Sequence, residues 1–249
     1  MAKRGGQRKL KRLAAPRSWK IERKEYTWII NPRPGPHPKE LSIPLLVFLR
    51  DYLKLVKNAK EGKKLIKEGE VLVDKRLIRD HKFPIGIMDS VEIPKLGKYF
   101  RITVDKKGRI DYVEIEEKES FHKICKIIGK KTVKGGHIQL NLHDGRNILI
   151  KVKDPKNPVE DIYKVGDSLL IELPSQKIIA HLKRENGKIA FIFKGRHAGS
   201  LGRIVEIKER PGLRPQTLIR LQTNGKEIET IEQYVMVVGD DEPLIKITQ

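Results

Sequence analysis

The sequence predicts an α+β protein that is mostly β, and three observations lead to this fold class. Ile outnumbers Leu, 31 to 24, and β-branched residues favour strands. Short apolar runs recur from residue 98 onward, separated by turns that contain Gly, Asn or Asp. Apolar residues recur at helical spacing mainly at 45–56. Leu, Ile, Val and Phe account for 76 of the 249 residues, which is enough to build packed cores.

Residues 1–40 carry a net charge of +9, and we expect them to form an extended basic arm. Five prolines break any long helix in it: Pro16, Pro32, Pro34, Pro36 and Pro38. A basic arm of this kind buries too little apolar surface to fold alone, but it can fold onto RNA once phosphates neutralise its charge. We expect Trp28 and Ile29 to dock on the folded body, whereas Trp19 either docks in the same way or stacks on bases.

Residues 41–95 predict two helices followed by a small sheet. The first helix covers 45–56, with Ser42 as its cap and Pro44 in its first turn. Asn58 caps a second helix at 59–67, and Gly69 ends it. A short hairpin then turns at 74–76, and 91–93 forms a closing strand.

From residue 98 onward the pattern predicts β structure, and regular short strands with turns of this kind indicate a barrel or a sandwich. The expected strand pairs flank turns whose Gly, Asn or Asp residues tolerate positive φ. They are 99–104 with 110–115, 137–142 with 147–152, 178–182 with 189–193, and 218–221 with 228–231. A short helix near 121–128 is the one expected interruption.

The net charge of +21 indicates a polyanionic partner, which is either nucleic acid or an anionic membrane surface. Seven cations crowd the predicted helix pair: Arg50, Lys54, Lys57, Lys60, Lys63, Lys64 and Lys67. A charge run of this kind is usually a solvated helix face, but here only Asp51 and Glu61 are interleaved with it.

A second basic segment, 175–212, carries +6 and contains the glycine-rich stretch GRHAGSLGRIVEI at 195–207. Glycines permit a tight connection between two strands, which is the plainer interpretation. They also permit a loop whose backbone N–H groups meet phosphates, and Lys194, Arg196 and Arg203 would add charge there.

Taken in order, these features resemble one family. The helix–helix–hairpin unit resembles the S-four RNA-binding domain, and 195–207 resembles a KOW motif, which occurs in SH3-like barrels. Further matches are LAAPRSW at 13–19, GPH at 35–37, FLR at 48–50, FPIGIMD at 83–89 and HDGR at 143–146. The chain therefore resembles the archaeal/eukaryotic type of small-subunit ribosomal protein S-four, S-four-e, over nearly its whole length. It departs from the family at Asp74-Lys75, where Asp-Gly is usual.

The resemblance implies a cytoplasmic constituent of the small ribosomal subunit that binds small-subunit ribosomal RNA and takes part in translation. It implies the basic arm at 1–40, an S-four domain at 41–95, a central β domain at 96–174 and a KOW/SH3-like barrel with its tail at 175–249. Neighbouring small-subunit proteins are the other expected partners, and neither a homo-oligomer nor catalytic activity is expected. The Lys- and Ile-rich composition suits an archaeal, thermophilic source.

Other function classes find less support in the residues. Cys125, the one cysteine, excludes a disulfide framework, and its pairing with His122 gives too few ligands for zinc, so we expect neither a metal nor a cofactor. The longest purely apolar run, 45–49, is far short of the ~20 residues that cross a bilayer, and we expect no secretory signal. An RNA-modifying enzyme with an appended S-four domain is the main alternative, ahead of a KOW-bearing transcription factor and a membrane-surface protein.

We expect the RNA to be recognised by shape more than by sequence, because duplex RNA offers mainly phosphates and 2′-hydroxyls. Arginines give bidentate phosphate contacts and lysines add charge. The predicted RNA-binding residues are Arg4, Arg8, Lys11, Arg12, Arg17, Lys20, Arg50, Lys54, Lys57, Lys64, Arg76, Arg79, Lys194, Arg196 and Arg203.

Overall fold

The computed structural model describes residues 9–154, 158–211, 216–223 and 225–248. Strands outnumber helices in these residues, which confirms the expectation of an α+β protein that is mostly β. All pairings between the strands are antiparallel, and three five-stranded sheets carry most of them.

The described part of the arm is docked on the body. Its two short strands, β1 (Leu10–Lys11) and β2 (Trp28–Ile29), pair with each other. Trp19 is buried, and its indole Nε1 donates to the carbonyl of Ser42 at 2.8 Å. The expectation for Trp28 is wrong, since this side chain is 53% exposed while Ile29 is buried. Successive side chains of a strand point to opposite faces, so only one of the two can face the body.

The first predicted helix is shorter than expected, and its predicted cap is wrong. Ser42 lies in strand β3 (Ser42–Pro44) and does not cap the helix. The helix begins as α1 (Leu45–Val47) and continues as a π-helical turn over Phe48–Tyr52. Lys54 then adopts a φ of +52°, which ends the helical path before Val56.

The second helix, α2 (Ala59–Glu68), is confirmed. The Oδ1 atom of Asn58 accepts from the backbone N–H groups of Lys60 and Glu61, at 3.0 and 2.9 Å. Gly69 follows the helix with a φ of +81°, the left-handed conformation that glycine adopts without strain.

The first sheet combines the predicted hairpin with the next two strands. Its strands are β4 (Leu72–Val73), β5 (Arg76–Leu77), β7 (Ser90–Ile93), β8 (Lys98–Val104) and β9 (Ile110–Glu114). Their order is β5-β4-β7-β8-β9, and the short strand β6 (Pro84–Gly86) pairs separately with β3. The sheet runs across the predicted boundary between 95 and 96, so β8 and β9 pack with the helical segment.

The second sheet has the order β12-β11-β10-β13-β14. A four-residue helix, α3 (Glu117–Ser120), precedes it, and its strands are β10 (His122–Thr132), β11 (Ile138–Leu142), β12 (Asn147–Ile150), β13 (Ser168–Glu172) and β14 (Ile178–Leu182). The helix expected near 121–128 is therefore wrong, because this stretch is the central strand. Ile124 and Ile127 are β-branched and fully buried there, as suits a strand covered on both faces.

The third sheet has the order β18-β17-β16-β15-β19. Its strands are β15 (Ile189–Ile192), β16 (Leu201–Arg210), β17 (Gln216–Thr223), β18 (Lys226–Ile231) and β19 (Val235–Gly239). The predicted hairpin of 178–182 with 189–193 is wrong, since β14 pairs with β13 of the second sheet. The C-terminal tail folds back, and Ile245 and Ile247 are buried in a core that also includes Met88 and Val104.

Candidate nucleic-acid interface

A basic cleft opens between the docked arm, the end of the π-helical turn and the turn between β8 and β9. Its volume is about 1140 Å³. Eight cations line it: Arg12, Arg17, Lys20, Arg23, Arg50, Lys54, Lys57 and Arg109. Four acids lie among them: Glu22, Glu25, Asp51 and Asp111. The excess of positive charge in a concave site favours an anionic ligand.

Two of the predicted arginines hold the cleft in shape. Arg12 is buried, and its Nε atom donates to the carbonyl of Glu22 at 2.9 Å, so this arginine braces the arm. The guanidinium of Arg50 makes two hydrogen bonds to the carboxylate of Asp51, at 2.8 and 2.9 Å. The same guanidinium lies over the ring of Tyr26, 4.4 Å from its centroid. Both guanidiniums are therefore fixed by the protein itself.

Four other cations of the cleft are exposed and make no ion pair with a described residue: Arg17, Arg23, Lys54 and Lys57. The remaining two cations are paired, Lys20 with Asp111 at 3.1 Å and Arg109 with Asp105 at 2.8 Å. An exposed pair is worth little in water, so an RNA phosphate could displace the carboxylate from Lys20. The unpaired cations are the groups most available to a phosphate.

The other predicted residues lie outside the cleft. Lys64 is on the exposed face of α2, where its ammonium is 3.9 Å from Glu68. Arg76 and Arg79 are exposed at β5 and just after it, and Lys11 is exposed in β1 beside Trp28, with its ammonium 5.8 Å from the ring centroid. Arg4 and Arg8 lie outside the described residues.

The predicted cations of the C-terminal segment have partners within the protein, except one. Lys194 lies 3.6 Å from Glu40 and 5.7 Å from the ring centroid of Tyr234. Arg203 pairs with Asp241 of the tail at 3.1 Å. Arg196 is exposed and has no ion pair among the residues that the structure describes.

The glycines at 195–207 serve close packing within the chain. A Cβ atom added at Gly199, where φ is +80°, would lie 2.4 Å from the backbone of Asp105. One added at Gly202 would lie 2.8 Å from the carbonyl oxygen of Gln222. These contacts support the plainer interpretation of the stretch, a connection that brings two strands close to their neighbours.

A buried charge cluster joins the first and second sheets behind the surface. The ammonium of Lys123, on β10, lies 2.7 Å from Asp74, 2.6 Å from Asp89 and 2.9 Å from Asp144. Arg146 pairs with Asp74 at 2.7 Å and with Asp144 at 3.0 Å. This cluster couples the hairpin turn of the first sheet to the turn between β11 and β12.

The pKa shifts show how the cluster is balanced. Burial alone would lower the pKa of Lys123, but the charges of Asp74, Asp89 and Asp144 raise it well above its usual value. Burial would raise the pKa of Asp144, yet Lys123 lowers it to about 2. Lys123 and Asp144 therefore stay ionised inside the protein because their partners are in contact.

A third group could suggest a metal site, since ligand atoms of Cys125, His143 and Asp144 lie within 4.8 Å of one another. However, Asp144 is already neutralised by Lys123. Both ring nitrogens of His143 are engaged, one with the N–H of Lys126 at 3.2 Å and the other with the carbonyl of Ile87 at 3.3 Å. Burial raises the pKa of the Cys125 thiol, which donates to Asp144. These contacts leave no lone pair of His143 for a metal.

Sequence reasoning missed Tyr26, Arg23 and Arg109 as members of the cleft. The signal for the first two was present, because basic and aromatic residues alternate at 17–28. Arg109 lies 86 positions after Arg23, and only the docking of the arm brings the two segments together. Within the described ranges, no helix is long and apolar enough to cross a membrane.

Comparisons with known proteins find relatives over the whole chain. Residues 96–178 match the model described as Ribosomal family S4e, which is the S-four-e family, and residues 4–40 match the RS4NT (NUC023) domain. The small ribosomal subunit protein eS4 of Methanocaldococcus jannaschii is 49% identical over 247 residues, which cover 99% of this chain and 100% of the relative. The small ribosomal subunit protein eS4 of Aeropyrum pernix is 47% identical, and the match covers 100% of this chain and 98% of the relative.

A solved structure is similar as well. The crystal structure of the 30S ribosomal protein S4e from Thermoplasma acidophilum superposes with a TM-score of 0.68 at 31% identity. The match covers 81% of this chain and 97% of that chain.

Proposed function

The chain belongs to the S4e family of ribosomal proteins, a structural family without enzymatic activity, and from this premise we propose that it is a constituent of the small ribosomal subunit that binds small-subunit ribosomal RNA. It takes part in translation as a fixed part of that subunit in the cytoplasm. Its neighbours there are other small-subunit proteins. A monomeric state and an archaeal source belong to the same proposal, whereas the sheets cross the expected boundaries at 95 and 174.

The basic cleft is the observation that carries the RNA-binding part of the proposal. Its exposed, unpaired cations lie on one concave surface formed by the arm and the helical segment. Like charges in one cleft repel each other and destabilise the folded protein. Acidic side chains paired with these cations would remove that repulsion, but no described residue makes an ion pair with them. RNA phosphates supply the missing negative charge.

We assign direct phosphate contacts to the exposed cations that make no ion pair with a described residue. These are the predicted residues Lys11, Arg17, Lys54, Lys57, Arg76, Arg79 and Arg196, together with Arg23. Arg12 and Arg50 act indirectly, because they hold the walls of the cleft. Four predicted residues contact RNA after they exchange a carboxylate partner for a phosphate: Lys20, Lys64, Lys194 and Arg203.

Sedimentation tests the proposed place of the protein. The tagged protein is followed through a sucrose gradient of cell lysate, at low salt and after a high-salt wash. We expect it to sediment with the small subunit and to survive the wash. Sedimentation at the top of the gradient at both salt levels would contradict the ribosomal assignment.

Salt titration tests the RNA contacts directly. If about 6–10 phosphates are neutralised, the affinity for a small-subunit RNA fragment falls by about 10³–10⁵ between 50 and 200 mM salt. The double variant R17A/R23A should reduce the slope of log K against log salt by about 2. The variant K131A, which removes an exposed lysine of β10 away from the cleft, is the matched control and should leave that slope unchanged.

A further inference from the structure

We propose that the basic cleft takes an unpaired segment of RNA, and that one base of this segment stacks on the exposed part of the Tyr26 ring. The inference rests on the proposed function and goes further, because it names the form of RNA that the cleft accepts. It also separates Tyr26 from the surrounding cations, which contact phosphates in any form of RNA.

The shape of the cleft favours a single strand. Its volume, about 1140 Å³, is slightly larger than that of sites that enclose one small ligand, which hold about 300–1,000 Å³. One or a few nucleotides fit such a space, whereas a double helix with two backbones meets a protein on its outer surface. The arm forms one wall and the helical segment forms the other, so an occupant is held from two sides.

Tyr26 provides a fixed stacking surface at this site. Arg50 lies against its ring at 4.4 Å, and Arg50 is held in turn by two hydrogen bonds to Asp51. The Arg50 side chain is only 10% exposed, whereas Tyr26 is 37% exposed. The ring is therefore braced from behind and open on its free side. Unpaired bases stack on aromatic rings in this way, and each stack contributes about 1–3 kcal/mol.

The cations around the ring are placed for the phosphates of the same strand. Lys54 and Lys57 come from the chain that follows Arg50, and Arg17 and Arg23 come from the arm. Lys54 occupies a backbone position with a φ of +52°, which glycine adopts without strain and lysine does not. A glycine would suit this backbone better, and the lysine adds a positive charge to the cleft here.

Two synthetic RNA hairpins test the inference, one with a three-nucleotide bulge and one with the same stem fully paired. We expect the full-length protein to bind the bulged hairpin about 10-fold more tightly, as one stacked base predicts. The variant Tyr26→Ala should abolish this preference, so that it binds the two hairpins equally. The matched variant Tyr26→Phe keeps the ring and should keep the preference.

The outcomes separate the two proposals. If the wild-type protein binds both hairpins equally, or if Tyr26→Ala weakens both by the same factor, the stacking inference is overturned while RNA binding stands. If the wild-type protein binds neither hairpin nor a small-subunit RNA fragment, the proposed function is overturned as well. A base analogue such as 2-aminopurine in the bulge adds a direct readout, because stacking on Tyr26 should quench its fluorescence in the wild type and not in Tyr26→Ala.

A second pair of variants tests the assignment of Lys54. Lys54→Gly should raise the urea midpoint of unfolding and lower the affinity for both hairpins at low salt. Gln176→Gly is the control, since Gln176 is exposed, uncharged and has a similar φ of +58°. It should also raise the midpoint but leave the affinity unchanged. An unchanged affinity in Lys54→Gly would overturn the assignment of a phosphate contact to Lys54.

Discussion

Replacing Lys123 with methionine tests whether the buried charge cluster holds the first two sheets together. The change keeps the unbranched apolar stem but removes an ammonium group that lies 2.7 Å from Asp74, 2.6 Å from Asp89 and 2.9 Å from Asp144. Breaking a buried ion pair from one side costs about 3–5 kcal/mol, because the remaining charge stays buried. Three carboxylates lose their common partner here, so we expect a loss of about 5 kcal/mol in the free energy of unfolding.

Urea unfolding followed by tryptophan fluorescence measures this loss, since Trp19 is buried in the folded protein. The pH dependence of the loss is a second readout. Without Lys123, one carboxyl group of the cluster favours its protonated form, so its pKa in the folded variant lies above the unfolded value. The folded variant then binds more protons than the unfolded one, and its stability falls as pH rises from 5 to 8.

The matched control is Lys131→Met, which removes an ammonium from the same strand at an exposed position. We expect it to change the free energy of unfolding by no more than about 0.5 kcal/mol. A loss of less than about 1 kcal/mol in Lys123→Met would refute the reasoning, because it would mean that the three carboxylates are satisfied without the lysine.

Three further predictions concern other parts of the body. Burial lowers the pKa of His143 from 6.5 to about 4, so the unfolded chain binds the proton first and stability falls on acidification. Between pH 6.5 and 5 we expect this histidine to lower the free energy of unfolding by about 2 kcal/mol. Urea unfolding measures this loss, which should be absent in the variant His143→Asn. Lys75→Gly relieves a φ of +62° but breaks the hydrogen bond to Glu92 at 2.9 Å. Calorimetry should show that the free energy of unfolding falls by about 1 kcal/mol or more. A stabilised variant would show that the turn strain outweighs the contact. Ile247→Ala should cost about 2–5 kcal/mol although it lies near the C-terminus, because the side chain is 2% exposed, and an unchanged melting temperature would contradict its place in the core.

Local signals in the sequence predicted local structure well. The cap at Asn58 and the left-handed Gly69 fixed both ends of α2, since each acts within a few residues of itself. The choice of partner strand was harder to predict. The turn signal Asn186-Gly187 is real, with Gly187 at a φ of +88°, but the strand before it pairs with β13. Turn residues predict that the chain reverses, but only tertiary packing decides which sheet each strand joins.

The candidate site shows the same limit. Residue type identified the cations, but it could not show which of them the protein neutralises itself. Arg12 and Arg203 looked equally available in the sequence, and the structure pairs both with protein oxygens. Lys123 looked like another surface charge and is fully buried. The partners lie 10 positions away for Arg12, 38 for Arg203 and 49 for Lys123 with Asp74. Such separations are beyond the reach of a local sequence pattern.

The docking of the arm explains why a cleft exists at all. Several contacts hold it to the body. Among them, the indole N–H of Trp19 donates to the carbonyl of Ser42 at 2.8 Å, the N–H of Lys20 donates to the hydroxyl of Tyr52 at 2.7 Å, and the N–H of Ile110 donates to the carbonyl of Ser18 at 2.7 Å. These contacts hold the described part of the arm against the body. A wall that is already ordered loses little conformational entropy on binding. The apolar residues of the arm thus fix where its cations stand, and this is how they would serve the proposed RNA binding.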